Sequence, residues 1–150
     1  MKKALSLILA LVMCLSLCAC GSSKYIGSYH KEYNIAGNGY WGDWVRAEEV
    51  LELKANGKGT FQVILTHNSE NISAGTVVRE GTVTWKKSGE YVIITRSGTE
   101  YLRKEKHPQY DDYYYYADGN TPYEQAETYE LKGNQLIDVA KPGNKWSKTQ

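Results

Sequence analysis

Cysteine is scarce in this sequence, and clustered metal ligands are missing from it. The 150 residues include only three cysteines, and all of them lie in the first twenty positions. His30, His67 and His107 lie far apart in three different predicted elements, and no Cys-x-x-Cys or His-x-His spacing occurs. Structural zinc sites need several such ligands at close spacing. We therefore expect no disulfide and no metal site, and no motif indicates a cofactor.

An excess of charge of one sign and the common catalytic motifs are also missing. The chain has 18 basic and 17 acidic residues and no basic run, so there is no electrostatic reason to expect nucleic-acid binding. No Gly-x-Ser-x-Gly motif occurs. The acidic pairs Glu48-Glu49 and Asp111-Asp112 are adjacent in sequence, and adjacent side chains of a strand point to opposite faces. We therefore expect a protein that is not an enzyme.

The first residues form a targeting segment and not part of the fold. Lys2 and Lys3 precede an almost uninterrupted apolar run from Ala4 to Leu17. This run is shorter than the roughly 20 residues of a membrane-spanning helix. The pattern is typical of a signal peptide, which we place at residues 1–19. The alternatives are an uncleaved membrane anchor and plain secretion.

The end of this segment resembles the lipobox of bacterial lipoproteins. The resemblance lies in Leu17-Cys18-Ala19-Cys20-Gly21. It implies that the signal is cut before Cys20, that the Cys20 thiol is acylated, and that residues 20–24 form a short tether. The protein would then lie at the extracytoplasmic face of the cell membrane, with the membrane as a partner. Two or more acyl chains give stable anchoring.

The segment from Val45 to Arg96 has the pattern of a β-meander. Apolar and polar side chains alternate with a period of two, which predicts half-buried strands. Asn56-Gly57 predicts a tight hairpin turn after the first of these strands. We predict four strands here, at residues 45–54, 61–66, 76–86 and 91–96.

Two charged residues interrupt the apolar positions of these strands. Glu49 lies on the same predicted face of its strand as Leu51 and Leu53, and Arg79 lies on the same predicted face as Val77 and Val83. We expect Glu49 and Arg79 to pair inside the sheet. Such a pair would be either a buried structural ion pair or a polar anchor for a ligand.

Shorter strands complete the predicted sheet on both sides of the meander. We place them at residues 25–33, at 99–104 after a turn at Ser97-Gly98, at 110–117, and in a closing hairpin at 128–139. Side chains of a strand alternate between its faces, so Tyr113 and Tyr115 would share one face. One pair of the tyrosines at 113–116 would then line the core. We expect residues 142–150 to form a polar tail.

The series of short strands resembles the lipocalin-like bacterial lipoproteins. The resemblance lies in Gly27-Ser28-Tyr29, Leu51–Thr60, Gly81–Trp85 with Tyr91–Ile94, and Tyr129–Leu136. It implies an all-β fold, a small antiparallel up-and-down β-barrel of about eight strands. The barrel domain would occupy residues 25–141.

Aromatic side chains provide the candidate ligand contacts. The sequence has 13 tyrosines and four tryptophans but one phenylalanine, and amphipathic aromatics are typical of wet surfaces and binding faces. The residues we single out are Tyr29, Trp41, Trp44, Tyr113 and Tyr115. Trp41 and Trp44 lie in or beside a glycine-rich loop, where they would form either a contact surface or a lid packed on the core.

Two functions of different classes fit this pattern. The first is a membrane-anchored lipoprotein that binds a small apolar or amphipathic ligand, or a cell-envelope fragment. The second is a protein–protein interaction module of the envelope, such as an inhibitor, an assembly factor or a stress sensor, with a packed core. The space inside the barrel decides between them. An interior crowded by Tyr29, Phe61, Trp85 and Tyr91 would leave no room for a ligand.

Overall fold

A computed structural model of the protein describes residues 23–36, 45–67, 71–106, 108–109 and 113–149. Within these ranges the chain forms a short 3-10 turn at Ser23–Tyr25 and ten strands. The strands are β1 Gly27–Ala36, β2 Val45–Leu53, β3 Lys58–Leu65, β4 Val77–Ser88, β5 Tyr91–Glu100, β6 Arg103–Lys106, β7 Tyr113–Tyr116, β8 Thr121–Lys132, β9 Gln135–Asp138 and β10 Lys145–Lys148. No helix in these ranges has the length and apolar character needed to cross a membrane.

Eight of the strands close into a barrel. Around the barrel the order is β1-β10-β9-β8-β5-β4-β3-β2, while β6 and β7 pair only with each other. All neighbouring strands are antiparallel, and β1 is joined to β10 to complete the closure. The β6–β7 hairpin is therefore an insertion between β5 and β8. The predicted all-β up-and-down barrel of about eight strands is confirmed.

Alternate side chains of the barrel strands fill its interior. In β3, Phe61, Val63 and Leu65 are buried, and the side chains between them are exposed or half-buried. In β2, Leu51 and Leu53 are buried in the same way. This is the period of two that the sequence predicted. Each apolar side chain removed from water in this way stabilises the fold by about 1.5–3 kcal/mol.

A bulge in β4 changes which valine faces the core. The pairing of β3 with β4 passes from Val63↔Arg79 to Ile64↔Val77, so Val78 has no partner of its own. Val78 is buried, whereas Val77 is half-buried. The prediction that Val77 shares the inner face was therefore wrong, because an extra residue in one strand shifts the alternation by one position.

Strand β5 runs straight through the predicted turn at Ser97-Gly98. It continues to Glu100, and Gly98 lies directly opposite Gly81 of β4. A Cβ atom added to Gly98 would lie 1.9 Å from the Glu80 carbonyl oxygen, and one added to Gly81 would lie 2.1 Å from the Ser97 carbonyl oxygen. These two glycines allow a close approach of neighbouring strands. The sequence alone does not distinguish a glycine with this role from a glycine in a turn.

The segment expected to be a polar tail contains the strand that closes the barrel. Residues Lys145–Lys148 form β10, and Trp146 is completely buried. The indole Nε1 of Trp146 donates a hydrogen bond to the Tyr129 hydroxyl at 3.2 Å. One apolar residue among polar neighbours is too weak a pattern to predict a strand. The preceding hairpin also differs, because β8 begins at Thr121 and not near residue 128.

Replacing Gly98 by alanine should destabilise the barrel by at least about 2 kcal/mol, because a side chain there overlaps the backbone of β4. Urea unfolding measures this free energy. Gly143→Ala is the matched control, since a Cβ atom at Gly143 meets nothing within 4 Å, and it should change stability by less than about 0.5 kcal/mol. Equal effects of the two substitutions would contradict the close strand approach.

Candidate functional site

A charged cluster lies inside the barrel, on positions that otherwise hold apolar side chains. Glu49 on β2 is 1% exposed and Arg96 on β5 is 3% exposed. The Arg96 guanidinium donates through Nη1 to the Glu49 carboxylate. Through Nη2 it donates to Glu127 Oε2 at 2.5 Å and to Gln125 Oε1 at 3.2 Å. Arg96 therefore connects β2, β5 and β8 across the interior.

Glu49 faces inward as predicted, but its predicted partner was wrong. Arg79 lies opposite Glu100 in the sheet, and its Nη2 donates to Glu100 Oε1 at 2.5 Å. The Arg79 guanidinium also lies 4.2 Å from the centre of the Tyr123 ring. The position of a residue within its own strand does not tell which strands face each other across a barrel. Arg96, the last residue of the predicted strand 91–96, contacts Glu49 instead.

A second cation, Lys31 of β1, completes the cluster. Its Nζ lies 3.4 Å from Glu49 Oε2, 2.9 Å from Asn144 Oδ1 and 4.4 Å from the centre of the Trp146 ring. Burial lowers the pKa of Lys31, while the Glu49 carboxylate opposes that shift. Burial also disfavours the charge of Arg96, but Glu49 and its other neighbours raise the pKa of Arg96 overall.

The remaining acceptor oxygens of the cluster are occupied by neutral donors. Gln125 Nε2 donates to Glu127 Oε1 at 2.6 Å, and the Tyr129 hydroxyl donates to Glu127 Oε2. Burial and the hydrogen bond to Glu127 both raise the pKa of Tyr129, which keeps its hydroxyl protonated. Glu49 and Glu127 thus both have cationic and hydrogen-bonded partners. A fully satisfied network of this kind makes the interior more specific in its packing.

The structure describes three of the five predicted ligand-contact residues, Tyr29, Tyr113 and Tyr115, and they lie in two different elements. Tyr29 is completely buried and donates from its hydroxyl to the Tyr25 carbonyl oxygen at 2.8 Å, and burial raises its pKa to about 12. Tyr113 on β7 is 42% exposed, and Tyr115 is half-buried against the core. Trp41 and Trp44 lie outside the described residues, as does Cys20 with the predicted signal peptide.

Buried aromatic side chains line the described interior of the barrel. Of the four aromatics expected to crowd the interior, Tyr29, Phe61 and Trp85 are buried, whereas Tyr91 is 44% exposed. Other interior positions hold buried rings that sequence reasoning did not place there, namely Tyr129 and Trp146. The interior of the described barrel is therefore a packed core built on an ionic cluster.

The tyrosine-rich strand belongs to a hairpin outside the barrel. We expected one pair of its tyrosines to line the core. Strand β7 pairs with β6 and not with a barrel strand, and of the expected pair Tyr115 packs against the core while Tyr113 is exposed. Arg103 of β6 lies over the Tyr116 ring at 4.6 Å, and Lys104 lies over the Tyr113 ring at 5.0 Å. Such cation–π contacts at exposed sites are worth about 0.5–1 kcal/mol. The β6–β7 hairpin thus presents mixed basic and aromatic side chains.

A groove of about 780 Å³ crosses the outer face of β2, β3, β4 and β5, and Ser28 of β1 borders it. Gly81 and Gly98 line it through their backbones alone. The polar side chains along it carry hydroxyl, amide or carboxylate groups: Ser28, Glu52, Thr60, Gln62, Glu80, Thr82, Ser97, Thr99 and Tyr101. Sequence reasoning missed this groove, because polar residues on the outer face of a strand look like an ordinary solvated surface.

The chain matches no protein-family model, no curated protein and no solved structure. Its class is therefore defined by the fold, a small closed barrel of eight antiparallel strands. This geometry is consistent with the lipocalin-like barrel that the sequence resembles. Among the described residues, no three histidine, cysteine, aspartate or glutamate side chains converge where they could hold a metal ion.

Replacing Arg96 by methionine should destabilise the protein by about 3–5 kcal/mol, because it leaves the buried Glu49 and the half-buried Glu127 carboxylates without their shared cation. Adding Glu49→Gln to that variant should recover part of the loss. Arg103→Met removes a solvent-accessible ion pair with Asp118 and should cost much less stability than the change at Arg96, because water screens that pair. Chemical denaturation measures all three variants. Similar losses of stability on replacing Arg96 and on replacing Arg103 would argue against a buried cluster.

Proposed function

We propose that this protein is a bacterial lipoprotein of the lipocalin-like kind, anchored through Cys20, that acts as a non-catalytic interaction module at the extracytoplasmic face of the membrane. The lipobox-like segment Leu17–Gly21 supports the anchor. The 3-10 turn that precedes the first barrel strand begins at Ser23, three residues after Cys20, and its Tyr25 is buried in the core. Three residues extend over about 10 Å at most, so the barrel would lie close to the membrane surface.

The observation that supports an interaction module most directly is the filled interior. An eight-stranded barrel either holds one small ligand or is filled by its own side chains. Here Tyr29, Tyr129 and Trp146 are completely buried, and Glu49 and Arg96 pair between them. A ligand would have to displace these rings or break the ionic cluster. The filled interior therefore favours recognition on the outside of the barrel.

The outer surface offers chemistry suited to a protein partner. Aromatic residues and arginine are enriched at protein interfaces, and the β6–β7 hairpin presents both. Tyr113 is 42% exposed there, although the other tyrosines of the hairpin are partly covered. We propose this hairpin as one surface through which the module contacts an envelope protein.

Binding of a small amphipathic ligand is the second candidate function. The observation in its favour is that several polar side chains lie close together inside the barrel. They include Arg79, Gln125 and Lys31, each of which forms a hydrogen bond with another polar side chain. The proposed contacts would be Tyr29, Tyr115 and the tryptophans Trp41 and Trp44, with Tyr113 at the rim. A ligand of this kind would use the interior cations as its polar anchor.

Native mass spectrometry of the full-length protein, purified from its own host in mild detergent, separates these proposals. We expect a chain that begins at Cys20 and carries a covalent acyl mass, which stays attached on denaturation, with no further mass bound. Cys20→Ser should abolish the acyl mass. A stoichiometric mass that leaves on denaturation would establish the carrier function instead. A wild-type chain without an acyl group would overturn the lipid anchor.

Photo-crosslinking in cells tests the proposed partner surface. A photoreactive phenylalanine analogue at position 113 should capture a protein, because that side chain lies on the exposed hairpin. The matched control is position 91, whose exposure of 44% is close to the 42% of position 113. Position 91 lies at the start of β5, whereas the hairpin follows the end of that strand. A known lipoprotein whose partner is recovered under the same conditions serves as the positive control. If that control succeeds and neither position captures a protein, the result would count against an interaction module.

A further inference from the structure

The outer groove on β2 to β5 has a lining that accepts more hydrogen bonds than it donates. Its described lining residues include the carboxylates Glu52 and Glu80 and no lysine, arginine or histidine. The other polar groups are hydroxyls and one amide, which both donate and accept. A ligand that only donates, such as an ammonium or guanidinium group, complements this lining best.

The Glu80 carboxylate is fixed in place by neutral donors. Gln62 Nε2 donates to Glu80 Oε2 at 3.2 Å, and the Tyr101 hydroxyl donates to Glu80 Oε1 at 3.0 Å. These hydrogen bonds orient the carboxylate without neutralising its charge. Glu52 accepts a hydrogen bond from Thr60 at 3.3 Å and lies 3.3 Å from the exposed Lys54 ammonium. A cationic ligand at Glu52 would have only this exposed lysine to displace.

The sheet register sets the distance between the two carboxylates. Glu52 is opposite Thr60 on β3, and Glu80 of β4 is opposite Gln62 on β3. The two acidic residues are therefore two strands apart and offset by two residues. With strand spacings of about 4.8 Å and a rise of about 3.4 Å per residue, their Cα atoms are about 12 Å apart. In an extended peptide, residues i and i+4 point to the same side and lie about 14 Å apart, a difference from about 12 Å that flexible basic side chains can span.

Strand addition is not available to a ligand of this groove. All four strands beneath it have a hydrogen-bonded neighbour on each side, so none presents a free edge to a peptide backbone. Recognition must then come from side chains and from their charge. The width from β2 to β5 is three strand spacings, or about 14 Å, which is the length of four or five extended residues.

From this geometry we infer that the groove binds an extended segment of a partner protein that carries two basic side chains at positions i and i+4. Glu52 receives one basic side chain and Glu80 receives the other. The inference rests on the proposed interaction function and specifies the chemistry of the partner. It concerns a different surface from the β6–β7 hairpin.

Fluorescence anisotropy with the full-length protein in neutral detergent tests this inference. The probe is a labelled heptapeptide, Gly-Lys-Gly-Ser-Gly-Lys-Gly, whose lysines are four positions apart. It should bind, and Glu52→Gln or Glu80→Gln should each weaken binding about threefold to fivefold, as expected for exposed ion pairs. A peptide of the same composition with adjacent lysines should bind at least about threefold more weakly, since only one lysine reaches a carboxylate.

Matched variants separate site-specific binding from a general charge effect. Glu90→Gln with Glu130→Gln removes two carboxylates from the end of the barrel away from the groove, and should leave binding unchanged. Thr82→Lys places a cation on an exposed position of the groove and should weaken binding about as much as Glu52→Gln or Glu80→Gln does, without disturbing the core. Thermal unfolding confirms that each variant remains folded.

Several results would overturn the inference. These are equal binding of the two peptides, undiminished binding by the Glu52 and Glu80 variants, or an equal loss in the distant double variant. If any of them occurs while position 113 still captures a protein in cells, the groove assignment fails and the interaction function stands. If position 113 captures nothing and the spaced peptide binds selectively, the groove is the partner surface and the hairpin is not.

Discussion

A guanidinium group inside the barrel is the constraint on which the rest of the packing depends. Arginine does not give up its proton in a protein, so Arg96 keeps its charge and needs acceptors around it. Glu49 and Glu127 supply them from β2 and β8. Moving β5 by one residue would turn Arg96 outward, which would leave Glu127 without its cation and Glu49 with Lys31 alone. The cluster therefore selects one strand register, which is the best-established use of buried charge.

The fold was largely predictable from local pattern. The period of two in β2 and β3 and the Asn56-Gly57 turn need only neighbouring residues, and Gly57 indeed has a positive φ of 73°. The features that the sequence did not predict have a different origin. The Glu49–Arg96 pair, the contact of Gly81 with Gly98 and the burial of Trp146 all depend on which strands meet in space. The sequence alone indicates that Glu49 faces inward, but it does not indicate which side chain lies across the barrel from it.

The candidate sites were less predictable than the fold. Tyrosine and tryptophan are the predicted ligand contacts, but these residues are equally good at filling a core, and Tyr29 is completely buried there. The outer groove is made of threonine, serine and glutamate, which are ordinary residues for a solvated strand face. Only the register places Glu80 between Gln62 and Tyr101. A site built from common residues has no sequence signature of its own.

The pairing of β1 with β10 also governs how the chain can fold. The Thr149 amide and hydroxyl both reach the carbonyl oxygen of Ser28, from 121 positions away in the chain. Closure of such a long loop carries a large entropic cost before any contact compensates for it, and folds rich in distant contacts form slowly. Until β10 docks, β1 and β9 expose unpaired edges that could join to another molecule. The open sheet, and not the finished barrel, is therefore the state in which this protein is most exposed to aggregation.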